Sequence, residues 1–262
     1  MLVLKCRTLT LFGAVSLSFA GEPEPQVPVV TYTDYSDIDA SFRIEGFALQ
    51  VYVGYTNSTL GLSQNAFLGL GDILSNVDWM IPIGADFRKG KLGFLPTIVA
   101  MKLSGATTTP FNGFDRADVG MTMAMFNLPV YYRVVDRDDL SVDVLAGVRY
   151  LTVDLDVGLS GGVLGSALGP VSGGTNARVL NGIVGLRVQQ DLTDSFFYSV
   201  YGDIGTGDSD LTWEVIADLG YRVSETFSAS LGYRYLTFSQ SSGANAVDLT
   251  ASGPQLTLTW GF

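Results

Sequence analysis

Of the 262 residues in the chain none is histidine, and the only cysteine is Cys6. Without an imidazole, histidine acid/base catalysis, Ser-His nucleophiles and H-x-x-H metal sites are excluded. Once the leading segment is removed, disulfide and thiol chemistry go with Cys6. Charged residues make up only 16% of the chain. No stretch past the leading segment is an unbroken apolar run long enough for a spanning helix. CxxC pairs, Gly-rich phosphate loops and basic tracts are missing as well, so no cofactor is expected, metal or organic. Acids outnumber bases 26 to 15, which argues against nucleic acid as a partner.

What is present is a period of two. From Leu211 to Tyr221, Leu211, Trp213, Val215, Ala217, Leu219 and Tyr221 alternate with Thr212, Glu214, Ile216, Asp218 and Gly220. Successive strand residues point to opposite faces, so one face is apolar and the other largely charged. The apolar face carries large aromatics near both ends, the pattern of a strand that faces lipid between two interfaces. Phe227, Ala229, Leu231, Tyr233 and Tyr235 repeat it against Ser228, Ser230, Gly232 and Arg234. With 47% hydrophobic residues and a positive mean hydropathy, the reading is an all-β, antiparallel, up-and-down transmembrane barrel.

Lys5 and Arg7, an apolar run from Thr8 to Phe19 and the small-residue site ending at Ala20 suit a signal peptide over residues 1–20. Its removal would take Lys5 and Arg7 and move the net charge from −11 to −13. Pro23, Pro25 and Pro28 open a segment with no clear period, read as a periplasmic linker over 21–41. The barrel is expected over 42–262. About ten strands are expected, with eight or twelve as the other even counts. They start near Phe47, Trp79, Leu92, Val119, Leu140, Val179, Phe196, Leu211, Phe227 and Val247. Residues 57–76 form an outer loop with room for a short helix around Phe67–Leu74. The faces of the Leu92–Leu103 strand are both too apolar to orient. Gly158–Thr175, rich in Gly and Ser, reads as a long mobile outer loop. Pro82, Pro96, Pro129 and Pro254 fall inside strands, where each is expected to mark a bulge or a strand end. Short connections alternate with longer ones, the barrel rule of short periplasmic turns and long outer loops.

A G-x-R unit recurs at Gly147–Arg149, Gly185–Arg187, Gly220–Arg222 and Gly232–Arg234. Two residues apart means one shared face. On the lumen side, glycine leaves room for a neighbour and arginine presents five donors in a planar fork. Asp86, Arg88, Arg133, Asp143, Asp203, Glu214 and Asp218 fall on the same face, giving a charged but roughly balanced lumen. A three-residue turn at Ser224–Thr226 sets Asp218 opposite Gly232 and Glu214 opposite Leu236, with Arg234 within reach of either acid. A three-residue turn at Arg137–Asp139 likewise sets Arg133 opposite Asp143. A structural arginine network is the simpler reading, and a charge-lined solute path is the sharper one. Glu214 and Asp218, four strand residues or about 13 Å apart, are too distant to share a proton as a catalytic pair. Gly207–Asp210 is too short a fragment for a calcium loop and reads as a hairpin turn.

The last strand ends in Leu256, Leu258, Trp260 and terminal Phe262 on one face, similar to the C-terminal insertion signal of bacterial outer-membrane barrels. Over roughly Ile73 to Phe262 the chain resembles a family of uncharacterised bacterial outer-membrane β-barrel proteins. The carriers are Asp86–Lys91, Leu145–Tyr150, Gly202–Gly205, Asp210–Trp213, Gly232–Tyr235 and Gly253-Pro254. The loop after Gly205 is shorter than is usual in that family, and Glu214 stands where Gln is common. The resemblance implies the barrel fold and the outer membrane, with lipid and the barrel-assembly machinery, engaged through the C-terminal strand, as partners. The functional expectation is a non-enzymatic barrel that is structural, carries small solutes passively or makes surface contacts, with its solute or surface partner unnamed. The alternatives are an enzyme acting on lipid or peptide without histidine, and a narrow ligand-carrying pore.

Overall fold

The computed structural model of the chain describes residues 9–10, 31–32, 38–47, 50–108 and 115–262. The chain divides into two units, Met1–Ile38 and Asp39–Phe262. In the first, Leu9–Thr10 pairs antiparallel with Thr31–Tyr32. The expected signal peptide and linker otherwise lie outside the described residues. The exception is Ile38–Ser41, where strand has already begun, ahead of the boundary expected at 42.

The second unit is one antiparallel sheet closed on itself. Its strands are β1 (Ile38–Phe47), β2 (Gln50–Asn57), β3 (Leu62–Leu68), β4 (Val77–Lys89), β5 (Leu92–Phe94), β6 (Thr97–Thr108) and β7 (Arg116–Asp136). They continue as β8 (Leu140–Ser160), β9 (Val171–Asp191), β10 (Phe196–Gly207), β11 (Leu211–Arg222), β12 (Phe227–Ser242) and β13 (Asn245–Gly261). Helices α1 (Leu70–Asn76) and α2 (Gly162–Leu168) interrupt them. Neighbours in sequence pair from β6 round to β13, and β13 closes the ring on β1 and β2. Since β1 with β2, β3 with β4, and β5 with β6 each serve as one broken stave, the thirteen strands make about ten staves.

Closure obeys the alternation. On β11, Val215, Leu219 and Tyr221 are exposed to the exterior, while Thr212 and Glu214 are fully buried inside. Aromatic pairs mark the ends of the apolar exterior: Phe196 with Tyr221 and Phe227 with Trp260 at the turn end, and Trp213 stacked on Tyr235 at the loop end. Tyr221 and Trp213 are eight residues apart, about 26 Å along a strand tilted about 40° and so about 20 Å in height, which lies within an apolar band about 25 Å tall.

Several expectations change. The Leu92–Leu103 stave breaks at Leu95-Pro96, and Val99, Met101 and Leu103 point inward, nearly fully buried. Both its faces are apolar because the lumen at that height is apolar too. Phe47 and Val51 likewise belong to the interior, and Tyr52 to the exterior. Only Pro96 marks a strand end. Pro82, Pro129 and Pro254 sit in unbroken register opposite Val99, Gly147 and Tyr233, each omitting one ladder donor without a bulge. Most of the expected glycine-rich loop is hairpin: Gly158 pairs with Ser172, Val157 with Gly173 and Asp156 with Gly174, with α2 at the tip. A glycine lacks a side chain but keeps its N–H and C=O, so the ladder runs on through it. At the loop end the chain is therefore spent in long strands, while Asp208–Asp210 forms a tight hairpin turn, as expected. The helix of the 57–76 segment begins at Leu70, where the Gly69 N–H donates to Asp72 Oδ2 at 3.0 Å; Phe67 and Leu68 are still strand.

Candidate functional site in the barrel lumen

The inward residues of the staves stack in three levels. At the turn end Asp143, almost wholly buried, accepts from Arg133 Nε at 2.8 Å and from Arg187 Nε and Nη2 at 2.9 and 2.7 Å. Arg187 Nη1 also reaches Asp86 at 2.7 Å, and Tyr131 donates its hydroxyl to the other Asp86 oxygen at 2.7 Å. The Arg187 guanidinium lies 4.6 Å from the Tyr131 ring centroid, within cation–π range. Nearer the rim, Arg88 pairs with Asp39, and Arg222 pairs with Asp191 while resting on Phe197.

The middle level is built on Arg149, which has no exposed surface. Its fork donates to Asn127 Oδ1, Thr212 Oγ1, Asp203 Oδ2 and Glu214 Oε2 at 2.8, 3.0, 2.7 and 2.6 Å. Tyr201 donates to the same Asp203 oxygen at 2.6 Å. Glu214 Oε1 takes Arg234 Nε at 2.6 Å, and Arg234 continues to Glu45, which faces Arg43. Burying charges is costly unless each is paired and hydrogen-bonded; Arg149, Glu214 and Arg234 meet that condition within a chain of contacts across six staves, while Asp203 Oδ1 and Arg43 Nε have no hydrogen-bond partner.

Between these two levels lies a cavity of about 70 Å³, bordered by Arg43, Arg187, Tyr201, Asp218 and Gln255. Arg43 Nε, Asp218 Oδ1 and Gln255 Oε1 have no hydrogen-bond partner there. The space is polar and large enough for a few waters to reach them.

The third level, toward the loop end, is apolar: Phe47, Ile73, Val99, Met101, Leu103, Met125, Leu151, Leu236, Phe238 and Ala251 are all buried. Met80, Met121 and Met123 pack against them, so every methionine except Met1 belongs to this level. The space left inside it is about 30 Å³.

The structure thus places Asp86, Arg88, Arg133, Asp143, Arg149, Arg187, Asp203, Glu214, Asp218, Arg222 and Arg234 on the inner face. The register of β11 on β12 is the expected one, with Asp218 opposite Gly232 and Glu214 opposite Leu236. Arg234 chooses Glu214, and its other end goes across the ring to Glu45, so Asp218 faces the cavity instead. Arg133 does sit opposite Asp143, by a different route: Asp136 pairs with Ser141, and a bulge between Val142 and Asp143 shifts the ladder by one. The longer turn and the bulge cancel. Glu45, Arg43, Asn127, Tyr131 and Tyr201 complete the network and are absent from the sequence reading, which set Thr212 on the face of Glu214 without a role in it. Arg43, Glu45 and Phe47 carry the period of two, the signal that a barrel boundary at 42 and a first strand read from Phe47 onward pass over.

No family model matches the chain, and no curated protein matches it. Solved structures do. The outer-membrane protease OmpT of Escherichia coli is 10% identical over 87% of this chain and 97% of its own, with a TM-score of 0.51. The fold is that of an outer-membrane β-barrel. The translocator domain of the autotransporter NalP of Neisseria meningitidis is 11% identical over 87% and 90% of the two chains, with a TM-score of 0.43. The attachment invasion locus protein Ail of Yersinia pestis is 9% identical over 84% and 99%, with a TM-score of 0.36. An outer-membrane barrel is what the apolar exterior between aromatic belts requires. At these identities the likeness extends to the fold and not to the lumen residues.

Proposed function

We propose that the protein is a closed, non-enzymatic outer-membrane barrel whose role lies in its membrane-embedded body and its outer surface and not in bulk solute flow. The observation that carries this reading is the stacking of a paired-arginine level directly beneath an apolar level, with a cavity of about 70 Å³ below the first and one of about 30 Å³ within the second, while a wider hollow of about 530 Å³ borders Asp86, Arg88, Tyr131 and Arg133 at the turn end. Eight-stranded barrels are just filled by side chains and sixteen-stranded porins hold a channel, so ten staves with these side chains belong near the filled end. The lumen carboxylates Asp86, Asp143, Asp203 and Glu214 are held by arginine, which supports a structural use of the charges over a catalytic one. Lipid is the partner of the exterior, and the terminal strand ending in Trp260 and Phe262 is the segment offered to the assembly machinery. Proteoliposomes of the purified protein, placed in iso-osmotic arabinose, test the reading. Swelling at the rate of empty vesicles is expected; rapid swelling would make the protein a porin.

A further inference from the structure

The inner face of the barrel does not balance its own charges. Away from the exposed rim, six acids (Glu45, Asp86, Asp143, Asp203, Glu214 and Asp218) face five arginines (Arg43, Arg133, Arg149, Arg187 and Arg234). Five of the acids are held: Asp86 and Asp143 by Arg187, Asp143 also by Arg133, Asp203 and Glu214 by Arg149, and Glu214 and Glu45 by Arg234. Arg43, the fifth arginine, faces Glu45 at 3.7 Å. Among the described residues no arginine pairs with Asp218, and five positive charges against six negative leave the interior at −1.

The surplus acid sits beside a second unsatisfied oxygen. Asp218 lies opposite Gly232, which lies in turn opposite Gln255, so the acid and the amide flank a bare glycine on three neighbouring staves. A Cβ on Gly232 would run into Asp218 Oδ1, so glycine is what lets the carboxylate lean over β12. Gln255 is only 3% exposed, and its Nε2 donates to Thr257 Oγ1 at 3.0 Å, which leaves Oε1 as the free acceptor. Both side chains border the cavity of about 70 Å³, and neither Asp218 Oδ1 nor Gln255 Oε1 has a hydrogen-bond partner. Two buried oxygens and one uncompensated negative charge therefore face the same small space.

We propose that this cavity holds one alkali cation, sodium or potassium, bound by Asp218 Oδ1 and Gln255 Oε1. Carboxylate and carbonyl oxygens are the ligands that hard cations take. A single positive charge brings the interior to neutrality, whereas a divalent ion draws on more oxygen ligands than these two and would leave a surplus of the opposite sign. Water alone satisfies the two oxygens but not the charge, and an unpaired buried carboxylate is costly. The cavity has room for the ion and a water beside it. That water would accept from Arg43 Nε, the third unpartnered atom at the cavity's edge. Asp218 and Arg43 each keep part of their surface exposed, so the site is within reach of solvent.

An ion that binds only the folded barrel is read through unfolding. The purified protein is unfolded by urea in phosphatidylcholine vesicles at constant ionic strength, with N-methylglucamine chloride replaced stepwise by sodium or potassium chloride. Stability should rise with the alkali ion, the unfolding equilibrium constant falling by up to about tenfold for each tenfold rise in concentration, the limit for one ion. Asp218→Asn keeps the shape and removes the surplus charge. It should lose the dependence and be at least as stable in N-methylglucamine as the unaltered protein. Gln255→Leu keeps the charge and removes a ligand, so it should need more of the ion; it stands in for Asp218→Asn if that variant fails to assemble. The ²³Na signal gives a direct readout: broadening by the folded, unaltered protein should be relieved by potassium and absent with Asp218→Asn. Unfolding that is indifferent to both alkali ions would leave Asp218 protonated or merely hydrated, and overturns the proposal. A dependence that survives undiminished in either variant places the ion elsewhere and overturns it too. Neither result bears on solute flow through the lumen.

Discussion

Arg149 and Arg234 show at the scale of single residues why the lumen is closed. Arg149 replaces its waters by fixed oxygens from three staves and Arg234 by oxygens from two, and Glu214 joins the two guanidinium groups. Removing Arg234 takes the charged donor from Glu214 Oε1 and Glu45 Oε2, with Arg149 left on the other Glu214 oxygen and Arg43 left facing Glu45, and empties a space it fills itself. Breaking a buried pair costs about 3 to 5 kcal/mol, against roughly 1 kcal/mol or less for an exposed one. Urea unfolding in vesicles should therefore show Arg234→Ala destabilised by about 3 to 5 kcal/mol and Arg222→Ala, at the rim, by about 1 kcal/mol or less. Equal small effects would mean a wet lumen. Glycine matters where something crowds it: a Cβ at Gly220 would run into the Phe197 ring on which Arg222 rests. Gly220→Ala should cost about 1 to 3 kcal/mol, the overpacking range, measured in the same assay. These pairings were partly legible in the sequence. Period and register brought Arg234 to Glu214, because partners across one hairpin follow from the turn, whereas Arg133 meets Asp143 as expected only because a longer turn and a bulge cancel. Glu45, which meets Arg234 across 189 residues of chain, depends on ring closure, and no local spacing encodes that.

At the scale of elements the staves were legible wherever one face is apolar and the other charged, as on β8 and β11. They were obscured where the lumen itself turns apolar, as on β6, since alternation then disappears although strand geometry does not. The glycine-rich hairpin of β8 and β9 misled for a related reason: composition reports side chains, and a ladder is made by the backbone. Helix α1 is the clearest element-level test. Ile73 is buried in the apolar level while Leu74, beside it, is 59% exposed. Ile73→Asp should destabilise the barrel by about 2 to 5 kcal/mol, the range for emptying a buried aliphatic site, with the cost of burying a carboxylate added. It should also open Gly69–Asn76 to protease added outside, whereas Leu74→Asp should leave both unchanged. At the other end, Phe262 is 87% exposed and its N–H donates to Ala40 O at 2.8 Å. Deleting it should lower the yield of assembled barrel in cells, seen as loss of the heat-modifiable band; an unchanged yield would remove the terminal-signal argument.

The whole molecule is a barrel that uses its interior as a core. Its turn-end and middle levels are held by charge-assisted hydrogen bonds, and its loop-end level by aliphatic and methionine packing. It should fractionate with the outer membrane and migrate faster unheated than boiled on a detergent gel, as closed barrels do; recovery as a soluble periplasmic monomer would contradict the fold. The central claim, that side chains fill the lumen, is tested most directly by single-channel recording of the purified protein in a planar bilayer. A quiet baseline with at most small, brief events is the result that the paired arginines and the apolar level predict. Large, stable openings from the unaltered protein would show that the interior is a path and not a core.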